Sequence, residues 1–151
     1  MDGTGGTGEY RTLKGYQRGE TSLVTHAMED YLEMICRCLR TEGAARVGTL
    51  AARLAVKPSS ASKMAGNLRA LGLLEYENYG VIHLTDKGFE LGSYLLRRHD
   101  TLHRFFCLLN GTRDELEQTE KVEHYIDERT LRSLEDLIPA LEKTAAPIQP
   151  P

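Results

Sequence analysis

The segment from Val47 to Leu71 reads VGTLAARLAVKPSSASKMAGNLRAL. The spacing of its apolar residues predicts one short helix over about 47–54 and a second over about 58–71. Pro58 favours the start of the second helix, because the first turn of a helix leaves its backbone N–H groups without partners in any case. The three residues between the helices leave room only for a tight turn. Two short helices joined in this way predict a helix-turn-helix.

The flanking segments complete a winged helix-turn-helix. Upstream, apolar residues recur at helical spacing from about Ser22 to Arg40, and Gly43 is placed to end that helix. Downstream, two short apolar runs over 73–76 and 81–84 flank the sequence Glu77-Asn78-Tyr79-Gly80 in the manner of a hairpin. We therefore predict a mainly α chain whose N-terminal part has three helices followed by a small β-hairpin wing.

The second half of the chain has helical patterns only. Thr85 or Asp86 can cap a long helix that stops at Asn110-Gly111. Two more helices are predicted over about 114–126 and 128–143, and Asp127 is placed to cap the second. We divide the chain into an N-terminal arm predicted to be flexible (1–21), a winged helix-turn-helix domain (22–85), a helical domain (86–144) and a disordered tail (145–151).

Charge is distributed unevenly along the 151 residues, whose formal net charge is -3. The segment from Arg46 to Leu71 holds five basic residues and no acidic one, whereas Asp114 to Glu142 holds ten acidic residues against three basic ones. This asymmetry suits a protein that binds anions at one end and cations at the other. No run approaches the roughly 20 apolar residues that span a membrane. We expect a cytoplasmic protein whose three cysteines are buried and reduced.

The basic segment supplies candidate DNA contacts. Lys63, near the start of the second short helix, is the candidate for a base-edge contact, most naturally with guanine acceptors. Contacts to phosphates are predicted for Arg53, Lys57, Ser59, Ser60 and Ser62, and contacts to the neighbouring DNA backbone for Asn78 and Tyr79 of the hairpin. Taken singly, each residue is equally well an ordinary helix cap or a solvated surface group. The lack of acidic residues across the whole segment favours DNA binding.

The acidic segment and the first helix supply candidate metal ligands. Asp30 and Glu33 are three residues apart on the first helix, and positions three and four apart share one face of a helix. Glu120, Glu123 and His124 have the same spacing on the fifth helix, and His99 lies on the long fourth helix. If these helices converge, the six side chains can surround one or two divalent cations. Carboxylates with imidazoles favour Mn(II) or Fe(II), although Zn(II), Co(II) and Cd(II) also accept such ligands.

Several motifs together resemble one family, the diphtheria-toxin-repressor family of metalloregulators, and specifically its short manganese-transport-regulator branch. Order and spacing agree from about Thr25 to Leu141. The matching motifs are Met28-Glu29-Asp30-Tyr31-Leu32-Glu33, Val56-Lys57-Pro58-Ser59-Ser60-Ala61-Ser62-Lys63-Met64, Leu84-Thr85-Asp86-Lys87-Gly88, Arg98-His99 and Glu120-Lys121-Val122-Glu123-His124.

The resemblance implies metal ligation by the six candidate residues, with carboxylates shared between two cations. It also implies a homodimer formed through the C-terminal helices, an operator with two-fold symmetry and repression of metal-uptake genes when metal is plentiful. Glu33 and Glu120 take positions where the iron-selective branch is expected to carry Met and Cys, which favours manganese over iron. His103 stands where relatives are expected to have a glutamate, and it is open as a ligand, a partner of a ligand or a surface residue.

Two other functions fit parts of the sequence. One is a metal-independent winged-helix regulator that senses an organic ligand. The other is a di-metal carboxylate enzyme, because Glu-x-x-His motifs build such sites in four-helix bundles. That enzyme needs two copies of the motif on separate long helices, whereas here Glu120 and Glu123 stand four and one residues before His124. We therefore expect a regulator and not an enzyme.

Overall fold

The computed structural model describes residues 23–77 and 80–145, so the predicted arm (1–21), most of the predicted tail, Asn78 and Tyr79 lie outside the described residues. The described helices are α1 (His26–Glu42), α2 (Val47–Arg53), α3 (Pro58–Ala70), α4 (Asp86–Asn110), α5 (Leu116–Val122) and α6 (Glu128–Thr144). The strands are β1 (Ala45–Arg46), β2 (Leu74–Tyr76) and β3 (Val81–Leu84). None of these helices is both long and apolar enough to cross a membrane.

The predicted winged helix-turn-helix is confirmed. Its core is formed by the apolar faces of α1, α2 and α3 over the inner side of the sheet. Thr25 caps α1 by accepting a hydrogen bond from the Met28 N–H, and Gly43 ends the helix with φ at 71°. The sheet is antiparallel with the order β1-β3-β2. Strand β1 was not predicted, because two residues are too short to show an alternating pattern.

Helix α4 joins the DNA-binding part to the rest of the chain. Its 25 residues span about 37 Å, and it packs against α1 on one side and α6 on the other. Two glycines allow its close approach: a Cβ on Gly88 would lie 1.8 Å from the Leu73 carbonyl oxygen, and one on Gly92 would lie 2.2 Å from the Cys36 sulfur. All three cysteines are free and buried, as predicted.

The fifth helix differs from its prediction over 114–126. It begins only at Leu116, because the Asp114 carboxylate and a ring nitrogen of His103 accept the N–H groups of residues 116 and 115. It ends at Val122 and continues as a 3-10 turn over Glu123–Tyr125, in which the Ile126 N–H bonds to the carbonyl three residues earlier. The prediction of one continuous α-helix was therefore wrong, and Glu123 and His124 project from a tighter turn. Asp127 caps α6 as expected.

Candidate metal centre and nucleic-acid interface

The six predicted ligands converge where four elements of the fold meet. Asp30 and Glu33 come from α1, His99 from α4, Glu120 from α5, and Glu123 and His124 from the 3-10 turn. The ligand-type atoms of five of them fall into two groups of three, within 4.8 Å of one another in each group. The first group is Glu33, His99 and Glu123, and the second is Asp30, Glu123 and His124.

The first group is enclosed by the protein. Its three side chains are all buried, and the Glu123 side chain is 0% exposed. The His99 Nδ1 lies 3.0 Å from Glu123 Oε2 and 3.5 Å from Glu33 Oε1. Arg37, one turn along α1, donates to the same Glu33 oxygen at 2.6 Å. This group therefore holds two buried carboxylates around one imidazole.

The second group is reached through the other oxygen of Glu123. The His124 Nε2 lies 2.9 Å from Asp30 Oδ1 and 4.0 Å from Glu123 Oε1. Because Oε2 of the same carboxylate faces His99, Glu123 lies between the two groups and belongs to both. A carboxylate in that position has the geometry of a bridging ligand.

Glu120 and His103 stand apart from these groups. The Glu120 carboxylate lies 3.5 Å from the His99 Nδ1, but its side chain is 56% exposed. Together with Asp30, Glu33 and Arg37 it lines an open depression of about 150 Å³ that gives access to the centre. His103 instead accepts the Glu115 N–H with Nε2 at 3.2 Å and lies beside Cys107. His103 therefore supports the loop before α5.

An unpaired atom tests whether divalent cations fit these residues. Glu123 Oε1 is buried and accepts no hydrogen bond from any described residue. Buried polar atoms are nearly always paired, since an unpaired one forfeits about 1–3 kcal/mol of solvation. A divalent cation held by Asp30, Glu123 and His124 would satisfy that oxygen. Carboxylate oxygens with imidazole nitrogens are also the donors that Mn(II), Fe(II) and Zn(II) accept, so the donor set fits.

Four ionisable side chains of the centre have pKa values raised by burial or by their neighbours. Burial and then the charge of Glu123 raise the pKa values of Glu33 and Glu120 above the usual range. Burial would lower the pKa of His99, but the hydrogen bond to Glu123 and the charge of Glu33 outweigh burial and raise it. Hydrogen bonds to Asp30 and Glu29 raise the pKa of His124 to about 10. The neighbouring carboxylates therefore favour the protonated form of each imidazole.

Two residues of the centre were not singled out from the sequence as part of a site. The Glu29 carboxylate lies 2.6 Å from the His124 Nδ1, and Arg98 donates to the same oxygen at 2.6 Å. Arg98 is only 3% exposed, although arginine is rarely buried. Both residues lie inside motifs that carry the family resemblance. Their spacing in the sequence does not indicate that Glu29 and Arg98 are in contact.

The predicted DNA contacts that the structure describes are exposed residues of α2, α3 and the turn between them. Lys57, Ser59, Ser60, Ser62 and Lys63 are all exposed at the start of α3, where a recognition helix meets base edges. Arg53, at the end of α2, is also exposed, and it forms an ion pair with Glu42 at the end of α1. The tight turn between the helices places Ala55 at φ 52°, a conformation that few side chains adopt.

Comparison with known protein families identifies the family of this chain. The pattern described as "Iron dependent repressor, N-terminal DNA binding domain" matches residues 23–82. The pattern described as "Iron dependent repressor, metal binding and dimerisation domain" matches residues 85–145. The chain belongs to the iron-dependent repressor family. The resemblance stated from the motifs, which is to the same group of metalloregulators, is thereby confirmed.

Curated relatives agree with this assignment. The chain is 34% identical over 125 residues to the HTH-type transcriptional regulator MntR of Bacillus subtilis, covering 82% of this chain and 88% of that protein. It is also 34% identical over 120 residues to the MntR of Lysinibacillus sphaericus, covering 79% and 86% of the two chains.

Solved structures agree as well. A manganese-dependent transcriptional repressor in complex with manganese matches with a TM-score of 0.68 and 26% identity over 74% of this chain. ScaR with bound Zn²⁺ matches with a TM-score of 0.61 and 28% identity over the same share. The chain spans about half the length of these two structures, 52% and 53%.

The iron-dependent repressor family fixes the general function. The chain is a metal-dependent, DNA-binding transcriptional regulator that has DNA, a divalent metal and a second copy of itself as partners. The prediction that it is not an enzyme is confirmed, because its relatives are named transcriptional regulators. The alternative of a metal-independent regulator is set aside because residues 85–145 match the metal-binding and dimerisation domain of the family.

Proposed function

We propose that Mn(II), or Fe(II) in its place, switches on operator binding by this chain, with up to two cations per subunit. The ligands are the six predicted residues: Asp30, Glu33, His99, Glu120, Glu123 and His124. The observation that carries this proposal is the position of Glu123, a fully buried carboxylate shared by two groups of ligand-type atoms, one of whose oxygens has no partner among the described residues.

The charges of the ligands explain why metal binding would fix the two domains relative to each other. Asp30, Glu33, Glu120 and Glu123 carry a formal charge of -4 between them, and two divalent cations supply +4. Without that compensation the carboxylates repel one another, and protonated His124 offsets only part of the charge. The ligands Asp30 and Glu33 belong to the DNA-binding domain (22–85), and the others to the metal-binding and dimerisation domain (86–144). Shared ligation therefore fixes one domain against the other.

The ligand types favour manganese. Glu33 and Glu120 provide hard oxygen donors where softer sulfur donors would favour iron or zinc. Glu33 is buried and Glu120 lines the open depression, so each has a distinct place in the donor set. The names of the relatives support manganese, since a solved neighbour is a manganese-dependent repressor.

Once the domains are fixed, two copies of α3 in the dimer present their exposed first turns to successive major grooves. Lys63 reads a base edge, while Arg53, Lys57, Ser59, Ser60 and Ser62 hold phosphates. Asn78 and Tyr79 of the wing contact the adjacent backbone. A symmetric dimer implies a palindromic operator, and the resemblance of the motifs points to repression of metal-uptake genes in the cytoplasm.

The test is a selection of randomised DNA duplexes by the full chain, with Mn(II) and with none, at fixed ionic strength. We expect a two-fold symmetric sequence to be enriched only with Mn(II). Glu123→Gln should abolish that enrichment while remaining a folded dimer. Glu117→Gln is the matched control, because Glu117 is a surface carboxylate of α5 paired with Lys121. Equal enrichment with and without metal, or by Glu123→Gln, contradicts the proposal.

A further inference from the structure

Glu29 is a carboxylate of the centre that belongs to neither group of ligand-type atoms. It lies on α1 beside Asp30, and its Oε2 lies 2.6 Å from the His124 Nδ1. The other ring nitrogen, Nε2, faces Asp30 at 2.9 Å and Glu123 at 4.0 Å. Glu29 therefore holds the edge of the imidazole that points away from the ligand group.

Arg98 holds Glu29 in turn. Its Nη2 donates to the same Oε2 at 2.6 Å and lies 3.4 Å from the His124 Nδ1, so two donors converge on one oxygen. Arg98 is 3% exposed, and its guanidinium lies 5.7 Å from the centre of the Tyr94 ring. A buried arginine with a carboxylate partner makes a short, directed contact whose loss leaves an uncompensated charge. Glu29 is thus fixed from α4, the helix that also carries His99.

The face of the His124 ring is restrained as well. His26, in the first turn of α1, stacks on it with ring centres 4.7 Å apart and an angle of 10° between the planes. The ring is therefore held at one edge by Glu29 and on one face by His26. Rotation about the side-chain bonds would break both contacts.

We propose that Glu29 and Arg98 are a positioning pair: Glu29 accepts the Nδ1–H of His124 so that Nε2 is the ligand atom, and Arg98 keeps the Glu29 carboxylate out of the ligand group. Histidine ligands commonly donate their second N–H to a carboxylate, which fixes the tautomer and the ring orientation. This inference rests on the metal ligation proposed above. It adds that the Glu29–Arg98 ion pair, which joins α1 to α4 beside the centre, needs no metal.

The experiment compares wild type, Glu29→Ala, Glu29→Gln and Arg98→Met in the full chain. The first measurement is Mn(II) affinity and stoichiometry by EPR of free Mn(II). The second loads ¹¹³Cd(II) into protein labelled with ¹⁵N-histidine, where cadmium–nitrogen coupling identifies the ligating ring nitrogen. Arg97→Met is the matched control, because Arg97 precedes Arg98 on α4, also lies over Tyr94 and pairs with Glu128 and Glu135 on the surface.

We expect coupling to the His124 Nε2 in wild type and in the control. Glu29→Ala should weaken Mn(II) binding at the Asp30, Glu123 and His124 group by about 10–100-fold, the usual loss when a partner of a ligand is removed. It should also lose the Nε2 coupling or move it to Nδ1. Glu29→Gln, which keeps an oxygen acceptor, should recover most of the affinity, and Arg98→Met should shift affinity in the same direction as Glu29→Ala. The His99 coupling should persist throughout.

Two results overturn the inference while leaving metal ligation intact. One is unchanged affinity and Nε2 coupling in both Glu29→Ala and Arg98→Met. The other is a loss in Glu29→Gln as large as in Glu29→Ala with Nε2 coupling retained, which makes Glu29 itself a ligand. If instead wild type shows no coupling to His99 or His124, the proposed ligation fails. Should Glu29→Ala not fold, the glutamine and methionine variants decide between these outcomes.

Discussion

The Nδ1 of His99 lies 3.0 Å from Oε2 of Glu123, which brings the long helix α4 and the 3-10 turn after α5 together at two buried ionisable side chains. Glu33 of α1 lies 3.5 Å from the same nitrogen. Three separate parts of the chain thus meet at one imidazole, and the DNA-binding part supplies one of them. Changes at this point are therefore expected to reach α3 and its exposed first turn.

Metal binding should become tighter as pH rises. The His124 pKa of about 10 means that this imidazole is protonated near neutrality, and ligation requires its neutral form. Each displaced proton makes apparent affinity rise about tenfold per pH unit, up to the pKa of the displaced group. Calorimetry of Mn(II) binding in buffers of different ionisation enthalpy should show release of at least one proton at pH 7–8. Binding without proton release would show that His124 is not displaced.

The metal-free protein should lose stability in alkaline solution. The pKa of His124 is raised in the folded state, so its contribution to stability is complete below the unfolded value of about 6.5 and is lost as pH rises toward about 10. Thermal unfolding without metal should therefore show a falling midpoint between pH 7 and pH 10. His124→Gln is the comparison variant, and it should flatten this dependence. An equally steep fall in that variant would assign the effect to other groups.

Gly88→Ala should destabilise the fold. A Cβ at this position would lie 1.8 Å from the Leu73 carbonyl oxygen, so the start of α4 would have to move away from the sheet. We expect a loss of about 1–3 kcal/mol in the free energy of unfolding, the usual cost of overpacking. Gly66→Ala on α3 is the control, since a Cβ there meets nothing within 4 Å and alanine favours a helix. Equal stability of the two variants in denaturant unfolding would contradict the close approach.

Lys63→Ala should reduce sequence discrimination, because its side chain is proposed to read a base edge. A lost base contact costs about 1–3 kcal/mol at one position of the operator and leaves binding to unrelated DNA nearly unchanged. The measurement is a comparison of affinities for the selected duplex and for single-base variants of it. A uniform loss across all duplexes would reassign Lys63 to a phosphate contact.

Arg53→Ala should weaken binding to all DNA sequences, in contrast to Lys63→Ala. Loss of a phosphate contact weakens binding to all DNA and flattens the dependence of affinity on salt by about one unit of slope. The ion pair of Arg53 with Glu42 makes Glu42→Gln a useful companion, since it frees the guanidinium without removing it. We expect Glu42→Gln to preserve or strengthen binding. Weaker binding in both variants would make the pair a structural contact.

The sequence predicted those parts of the fold that depend on local signals. Thr85, one of the two residues predicted to cap α4, and Asp127, predicted to cap α6, each accept a backbone N–H of the first turn. The six ligand candidates were found from helical spacing and from the resemblance, and the structure brings five of them into two compact groups.

The features that sequence reasoning missed depend on contacts between distant residues. Strand β1 exists because two residues pair with β3, which lies about 35 residues later in the chain. The 3-10 turn at Glu123 changes the geometry of the ligands without changing their spacing in the sequence. Arg98 and Glu29 are 69 positions apart, so their pairing emerges only when α1 and α4 are packed.

Shared metal ligation by Glu123 is tested by the uptake of Mn(II) in equilibrium dialysis, measured for the purified chain and for Glu123→Gln. Because Glu123 is shared by both groups of ligand-type atoms, its loss should affect both sites at once. We expect stoichiometric uptake of up to two Mn(II) per subunit by wild type and a loss of binding at both sites in the variant. Wild-type protein that takes up no stoichiometric Mn(II), or a variant that binds as wild type does, would contradict shared ligation.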